Sequence, residues 1–288
     1  MARILIAGGG YTGARIARLH ANDTVWATHR PGNSPAGGDA ESGVVLDLDD
    51  ERASPELPLV DCVYYTVPPD GSDRPDSDHR LARFLALLPG APLLVYFSTT
   101  GVYGDRAGEW VDETATLRPG NDRSRRRVTA EQLVASWGKD TAARTVILRV
   151  AGIYGPGRLP LEKVREGRPV LDPGEAGWSN RIHVDDLARA AVACAGQGES
   201  GVYNVADGSP SSTAELYDAL ADLLELPRPA RISRQQASQY FSEKALEFMR
   251  DSKRVDASKL LGLPGFQLHY PDFRQGLRAS LDEADRPD

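Results

Sequence analysis

Three glycines at a fixed spacing carry the first chemical signal. Gly8-Gly9-Gly10-Tyr11-Thr12-Gly13 follows the apolar run Ile4-Leu5-Ile6-Ala7 and opens an amphipathic stretch. In that setting Gly8 permits a tight turn, Gly10 lets the backbone approach a pyrophosphate, and Gly13 allows a helix to pack closely on a strand. Amides at the start of the helix, around Tyr11 and Thr12, then donate hydrogen bonds to phosphate. The pattern implies a dinucleotide, whose type is read one strand later. The segment Trp26-Ala27-Thr28-His29-Arg30-Pro31-Gly32-Asn33-Ser34 holds no carboxylate to receive a ribose 2′-hydroxyl. Arg30 offers bidentate donors for a 2′-phosphate, with His29, Asn33 and Ser34 adding hydrogen bonds. NADP is therefore expected in preference to NAD. Asp47 ends the next strand and is expected near the adenine, although strand-end aspartates also serve simply as turn-formers.

Delivering these groups to one place requires strands that end together. Short apolar runs at 4–7, 25–28, 44–46, 62–67, 93–97 and 146–150 alternate with helix-like segments such as 12–21 and 80–88. Near-continuous apolar strands alternating with helices are the signature of a parallel sheet covered on both faces. The expected fold is α/β, a Rossmann-type doubly wound parallel sheet. The second half is broken by Gly155-Pro156-Gly157 and Pro173-Gly174, and then reads as helices at 185–195, 213–224, 235–250 and 271–282. This organisation predicts an NAD(P)-binding domain over 1–155 plus about 180–206. A smaller, mostly helical substrate-binding domain is expected from about 156–179 and 207–288.

Composition narrows the function classes. Of 288 residues, 41% are hydrophobic and 26% charged, so a large core can be buried and wholesale disorder is excluded. A net charge of −7 opposes binding to a polyanion. The one dense basic stretch, Arg123-Ser124-Arg125-Arg126-Arg127, reads as a solvated helix face rather than a nucleic-acid site. Cys62 and Cys194, the only cysteines, sit in apolar runs and provide neither a disulfide framework nor a metal cluster. No signal peptide and no uninterrupted apolar window of ~18 residues is read, so a cytoplasmic protein without membrane or metal is expected.

Further segments add a family resemblance. Val95-Tyr96-Phe97-Ser98-Thr99-Thr100-Gly101-Val102-Tyr103-Gly104 is followed by Val111-Asp112-Glu113 and by Leu148-Arg149-Val150-Ala151-Gly152-Ile153-Tyr154-Gly155-Pro156-Gly157. Then come Asn180-Arg181-Ile182-His183-Val184-Asp185-Asp186-Leu187-Ala188 and Val202-Tyr203-Asn204-Val205. In this order the chain resembles the extended short-chain dehydrogenase/reductase family, which includes NAD-dependent epimerases and dehydratases of nucleotide sugars. The resemblance implies that Thr99, three residues before Val102-Tyr103-Gly104, polarises a substrate carbonyl. It also implies a tyrosine and a lysine one helical turn apart as the acid/base pair.

That pair is missing. The helix through Ala130-Glu131-Gln132-Leu133 aligns Arg123 with the tyrosine and Arg127 with the lysine, and no tyrosine lies between Tyr103 and Tyr154. Arginine stays charged at working pH and cannot supply the proton. Arg127 is expected to clamp the cofactor ribose, and Arg123 to meet an anionic group of the substrate. The chain thus resembles an atypical branch of the family. Tyr64, Tyr65, Tyr103, Tyr154 and His183 remain as proton donors, with Tyr103 and Tyr154 favoured because they follow the fifth and sixth strands. The lone Tyr240-x-x-x-Lys244 lies too late in the chain and is read as coincidence. Thr100, Arg123, Arg158 and Arg181 are candidates for substrate contact, together with Arg168 and Trp178.

Three functions follow from these residues. The first is NADP-dependent hydride transfer to a small carbonyl or from an alcohol; the second is nucleotide-sugar epimerisation or dehydration. The third is non-catalytic sensing of the NADP redox state. A small-molecule substrate and a monomer or homodimer are expected, with no nucleic-acid partner.

Overall fold

Strands that are apolar on both faces can only be stable with helices on either side, and that is how the chain is arranged. The computed structural model describes residues 1–33, 42–53, 55–69 and 77–284. The strands β1 (Arg3–Ala7), β2 (Thr24–His29), β3 (Ser42–Val45), β4 (Cys62–Tyr65), β5 (Leu93–Thr99), β6 (Thr145–Val150) and β7 (Gly201–Val205) form one parallel sheet. Their order is β7-β6-β5-β4-β1-β2-β3. The order reverses between β1 and β4, where open parallel sheets leave a crevice beyond the carboxyl ends of their strands.

Nine helices follow along the described chain: α1 (Tyr11–Leu19), α2 (His79–Leu87), α3 (Asp122–Thr141), α4 (Leu161–Arg165), α5 (Val184–Gln197), α6 (Thr213–Leu223), α7 (Glu243–Arg250), α8 (Ser258–Leu261) and α9 (Phe273–Ala284). Ile4, Ile6, Tyr64 and Val95 point to one face and pack against Ile16 of α1 and Leu187 and Ala191 of α5. The alternate residues Leu5, Val63, Tyr65 and Tyr96 point to the other, against Phe84 of α2 and Ala130 and Val134 of α3. Side chains of one strand alternate between faces, so each face receives an unbroken apolar set.

The structure differs from expectation in instructive places. The strand expected over 62–67 ends at Tyr65, because the Thr66 hydroxyl turns inward and donates to the Gly8 carbonyl at 2.8 Å. The helix expected over 235–250 divides into a 3₁₀ turn, Ala237–Gln239, and α7, whose first turn is capped by Ser242. Short strands also appear where the sequence reading expected none. Three short parallel pairs join Gly152–Tyr154 to Arg181–His183, Val170–Leu171 to Arg231–Ile232, and Trp110–Val111 to Arg254–Val255. Among the described residues, no helix is long and apolar enough to cross a membrane.

Candidate functional site

The glycine turn sits at the carboxyl end of β1, and Gly8 and Gly13 each have a distinct steric reason. Gly8 has φ of +98°, and a Cβ there would stand 2.5 Å from Thr66 Oγ1. A Cβ on Gly13 would collide with the Gly8 carbonyl, so α1 packs on β1 only without one. A Cβ on Gly10 would meet nothing within 4 Å. Gly10 is also the N-cap of α1 and makes no side-chain cap, and the first turn carries no acidic residue. The first amides of α1 therefore have no side-chain cap, as a pyrophosphate-binding turn requires. The turn itself is held by Thr28, whose hydroxyl accepts the Gly8 N–H at 2.9 Å while its carbonyl accepts the Gly9 N–H at 3.1 Å.

Tyr11 and Thr12 begin α1, and Tyr11 links the turn to a distant loop. Its hydroxyl donates to the Pro156 carbonyl at 2.9 Å. Two guanidinium groups lie over its ring, Arg158 at 4.0 Å and Arg15 at 4.5 Å from the centroid. The cofactor candidate Tyr11 and the substrate candidate Arg158 are thus in direct contact.

At the end of β2 the structure adds residues that sequence reading missed. Arg30 is exposed, and its Nη2 donates to Asp49 Oδ2 at 2.9 Å. Arg80, at the start of α2, grips the same carboxylate through two bonds of 2.6 Å. Arg80 holds the Asp49 carboxyl below its ordinary pKa, chiefly by this hydrogen bonding. Two arginines therefore converge on one anionic group beside the expected ribose position. Asp47 Oδ1 accepts the Asp49 N–H at 3.0 Å, forming the turn that presents Asp49. His29 Nδ1 lies 3.2 Å from the Arg30 carbonyl, and Ser34 falls outside the described residues.

Thr99 ends β5 half-buried, and its Oγ1 accepts the Gly101 N–H at 3.1 Å. Thr100 is buried in the 3₁₀ turn that follows. Beneath Thr99 runs a chain of buried polar side chains. Ser98 donates to Glu131 Oε1 at 2.5 Å, and Arg149 Nη2 donates to Glu131 Oε2 at 2.8 Å. Arg149 Nη1 donates to the Tyr103 hydroxyl at 3.0 Å, which donates onward to Asn204 Oδ1 at 2.7 Å. Asn204 closes the chain by donating to the Asp256 carbonyl at 2.8 Å. Three of the segments that carry the family resemblance thus meet in one network that ties β5, β6, β7 and α3 together. Arg149 inside an apolar strand and Glu131 on a packed helix face were its sequence signal, because charged residues are almost never buried unless paired.

This network corrects the expectation for Tyr103. The side chain is fully buried and its proton is already given to Asn204, so it cannot serve a molecule on the open edge. Tyr154 is corrected for a different reason. It is buried against Leu220, Phe273 and Leu277 with its hydroxyl beside Gly276, and burial raises its pKa far above the ordinary value. The other proton-donor candidates are also placed away from the open edge. Tyr64 lies 2.9 Å from His20 Nε2, Tyr65 packs on Phe84 and Tyr96 with its hydroxyl buried and without a hydrogen-bond partner among the described residues, and His183 caps α5 and reaches Ser280 at 3.1 Å. Tyr240 is exposed, and the Lys244 side chain falls outside the described residues.

The arginines divide in the same way. Arg127 of α3 reaches back toward β5, where Nη1 donates to the Phe97 carbonyl at 2.8 Å and the Tyr96 hydroxyl at 2.9 Å. Arg123, one turn earlier, is exposed. Arg181 is corrected as a substrate contact: it is buried, bonded to Ser211 and to the Ser212 carbonyl at 3.0 Å, and stacked on Phe273.

The glycine turn and Thr99 thus share the carboxyl edge of one parallel sheet, and residues 4–206, which span both, match the sequence model of the NAD dependent epimerase/dehydratase family. The chain belongs to that family. This epimerase/dehydratase-family chain is 30% identical over 239 residues to protein YeeZ of Escherichia coli strain K12, covering 81% of this chain and 78% of YeeZ. It is similar to the solved structure of a functionally unknown conserved protein from Silicibacter pomeroyi DSS, with 31% identity and a TM-score of 0.75 over 99% of this chain and 100% of that one. It also shares its fold with RMD from Pseudomonas aeruginosa, solved complexed with NADPH, at 18% identity and a TM-score of 0.72 over 99% of this chain and 100% of that chain. Fold neighbours have been solved with NADPH and with NAD.

Proposed function

We propose that this family member is a reductase that transfers hydride between a nicotinamide cofactor and a small carbonyl or alcohol substrate, with NADP preferred over NAD. The observation that carries the reading is Thr99. Its oxygen accepts the Gly101 amide, and among the described residues its proton goes to no acceptor. A hydroxyl held in this way donates to a carbonyl oxygen and stabilises the charge that gathers there. The turn at 8–13 and the first amides of α1 hold the pyrophosphate, while Arg30 and Arg80 exchange the Asp49 carboxylate for a 2′-phosphate. Asp47 lies by the adenine and Arg127 by the nicotinamide ribose. When bound, the reduced nicotinamide supplies the hydride. Thr99 orients and polarises the carbonyl, Arg123 and Arg158 meet an anionic part of the substrate, and the proton comes from water.

Burial of the tyrosine and histidine candidates weighs against nucleotide-sugar epimerisation, which must take up and return a hydroxyl proton. The same burial favours redox sensing without catalysis as the second reading. Titrating the protein with NADPH, NADP, NADH and NAD by tryptophan quenching tests the common premise. NADPH is expected to bind in the micromolar range, and Arg30→Ala to weaken it by about tenfold, or 1.4 kcal/mol. Thr99→Val should then abolish NADPH oxidation over a carbonyl panel without changing NADPH affinity. Tight NADPH binding with no turnover on any carbonyl would refute the reductase and leave the sensor.

A further inference from the structure

A cavity of about 600 Å³ opens between α4, α6, α7 and the Val170–Leu171 strand. Its volume lies within the range of small-molecule sites. The walls are mostly apolar, with Leu171, Tyr217, Phe241 and Met249 among them. Its charged lining is unbalanced. Among the described wall residues Lys163 and Arg168 are cationic, and the one carboxylate, Asp251, lies 3.8 Å from the buried Lys253 ammonium. Lys163 is exposed and has no ion-pair partner among the described residues. Arg168 pairs with exposed Glu166 at 2.7 Å, yet it stands near enough to Tyr217 to oppose the rise in pKa that burial gives that phenol.

The cavity wall is strapped to the segment that follows Thr99. Trp178, next to the wall residue Gly177, donates its backbone N–H to Ser252 Oγ at 3.0 Å. The Ser252 carbonyl accepts the Arg106 and Gly108 N–H groups at 2.9 and 3.0 Å, and the Ser252 N–H donates to Asp105 at 2.9 Å. Asp105 directly follows Val102-Tyr103-Gly104, so the cavity and the reactive edge share one hydrogen-bonded wall.

We infer that this cavity binds a monoanionic, largely apolar molecule, an aryl or acyl carboxylate. Its carboxylate faces Lys163 and Arg168, and its apolar body lies among Leu171, Tyr217, Phe241 and Met249. A nucleotide sugar asks for the opposite lining, with many donors for hydroxyls and a diphosphate. That the ligand is the substrate of the reductase rests on the reading above, with Lys163 and Arg168 in place of Arg123 and Arg158 meeting its one carboxylate; that it binds does not.

The probe is 8-anilinonaphthalene-1-sulfonate, titrated into the full-length protein with saturating NADPH so that the cofactor crevice does not report. One saturable site is expected. The double variant Lys163→Glu with Arg168→Glu changes two exposed residues and should weaken the probe by at least about tenfold. N-phenyl-1-naphthylamine, the uncharged counterpart, should be weakened less than about twofold, while Ala245→Trp should weaken both probes by filling the cavity. Both 4-phenylbutanoate and 4-phenyl-2-oxobutanoate should displace the sulfonate, since binding does not require a reducible carbonyl. The inference is overturned if the sulfonate shows no saturable site, or if charge reversal affects both probes equally. Failure of the cofactor reading looks different: NADPH does not bind, while the charge-dependent probe site persists.

Discussion

Replacing Asp207 by asparagine is expected to stabilise the protein, and to do so more strongly as pH rises. Asp207 follows β7 and is 4% exposed. Its Oδ1 accepts the Ser209 N–H at 2.9 Å, whereas Oδ2 is buried without a hydrogen-bond partner among the described residues. Burial pushes the carboxyl up from 3.8 to about 7, against the opposing effects of the Ser209 amide and the Arg181 guanidinium. The folded state therefore keeps a proton that the unfolded chain releases near its ordinary value. The stability linked to that proton is complete below about pH 4 and is lost as pH rises through about 7. At 1.36 kcal/mol for each unit between the two values, the loss reaches about 4 kcal/mol, with about 2–3 kcal/mol of it falling between pH 5 and 8. Asparagine keeps the acceptor for Ser209 and carries no charge at any pH. Urea unfolding of both proteins across this range isolates the effect, because every other titrating group is common to the two. The reasoning is refuted if the stability difference between variant and parent does not change between pH 5 and 8.

Three further outcomes are expected. Glu131→Ala strips the partner from buried Arg149 and should lower unfolding free energy by about 3–5 kcal/mol, read from the urea midpoint. Tyr103→Phe breaks the link between Arg149 and Asn204 and should destabilise by about 1–3 kcal/mol. It should leave NADPH affinity unchanged by calorimetry; a lost affinity would return Tyr103 to the reactive edge. Arg80→Ala releases the bidentate grip on Asp49 and should weaken NADP by about tenfold or more while leaving NAD nearly unaffected. Equal losses for both cofactors would show that Arg80 does not read the phosphate.

Much of the fold was legible because burial on both faces leaves a plain pattern. Ile4-Leu5-Ile6-Ala7 and Thr145–Val150 could hardly be anything but inner strands, and Gly8 and Gly13 signalled a turn whose steric need the structure bears out. The carboxyl ends were harder to read. A tyrosine after a strand looks the same in sequence whether its hydroxyl faces a crevice or a buried arginine, and Tyr103 was decided by Arg149 and Asn204, far away in the chain. The Arg30–Asp49–Arg80 cluster gave no signal, since charges at separations of 19 and 31 residues follow no local period. Arg181 reads as a loop cation, and only the fold reveals that Ser211 and Ser212 enclose it.

The buried chain of side chains under Thr99 also has a consequence for how the protein is made. The glycine turn is assembled from near neighbours: β1, α1 and β2 lie consecutively in the first part of the chain. Tyr103 and Asn204, by contrast, are 101 residues apart, and Asn204 is in turn held by the Asp256 carbonyl. Closing so long a loop is entropically harder than forming local contacts, and β7 leaves the ribosome well after β1 and β2. In pulse-labelled hydrogen exchange during refolding, the Ile6 amide should gain protection before that of Asn204. During synthesis, the glycine turn takes shape first, and the buried network beneath Thr99 closes only once the last quarter of the polypeptide has arrived.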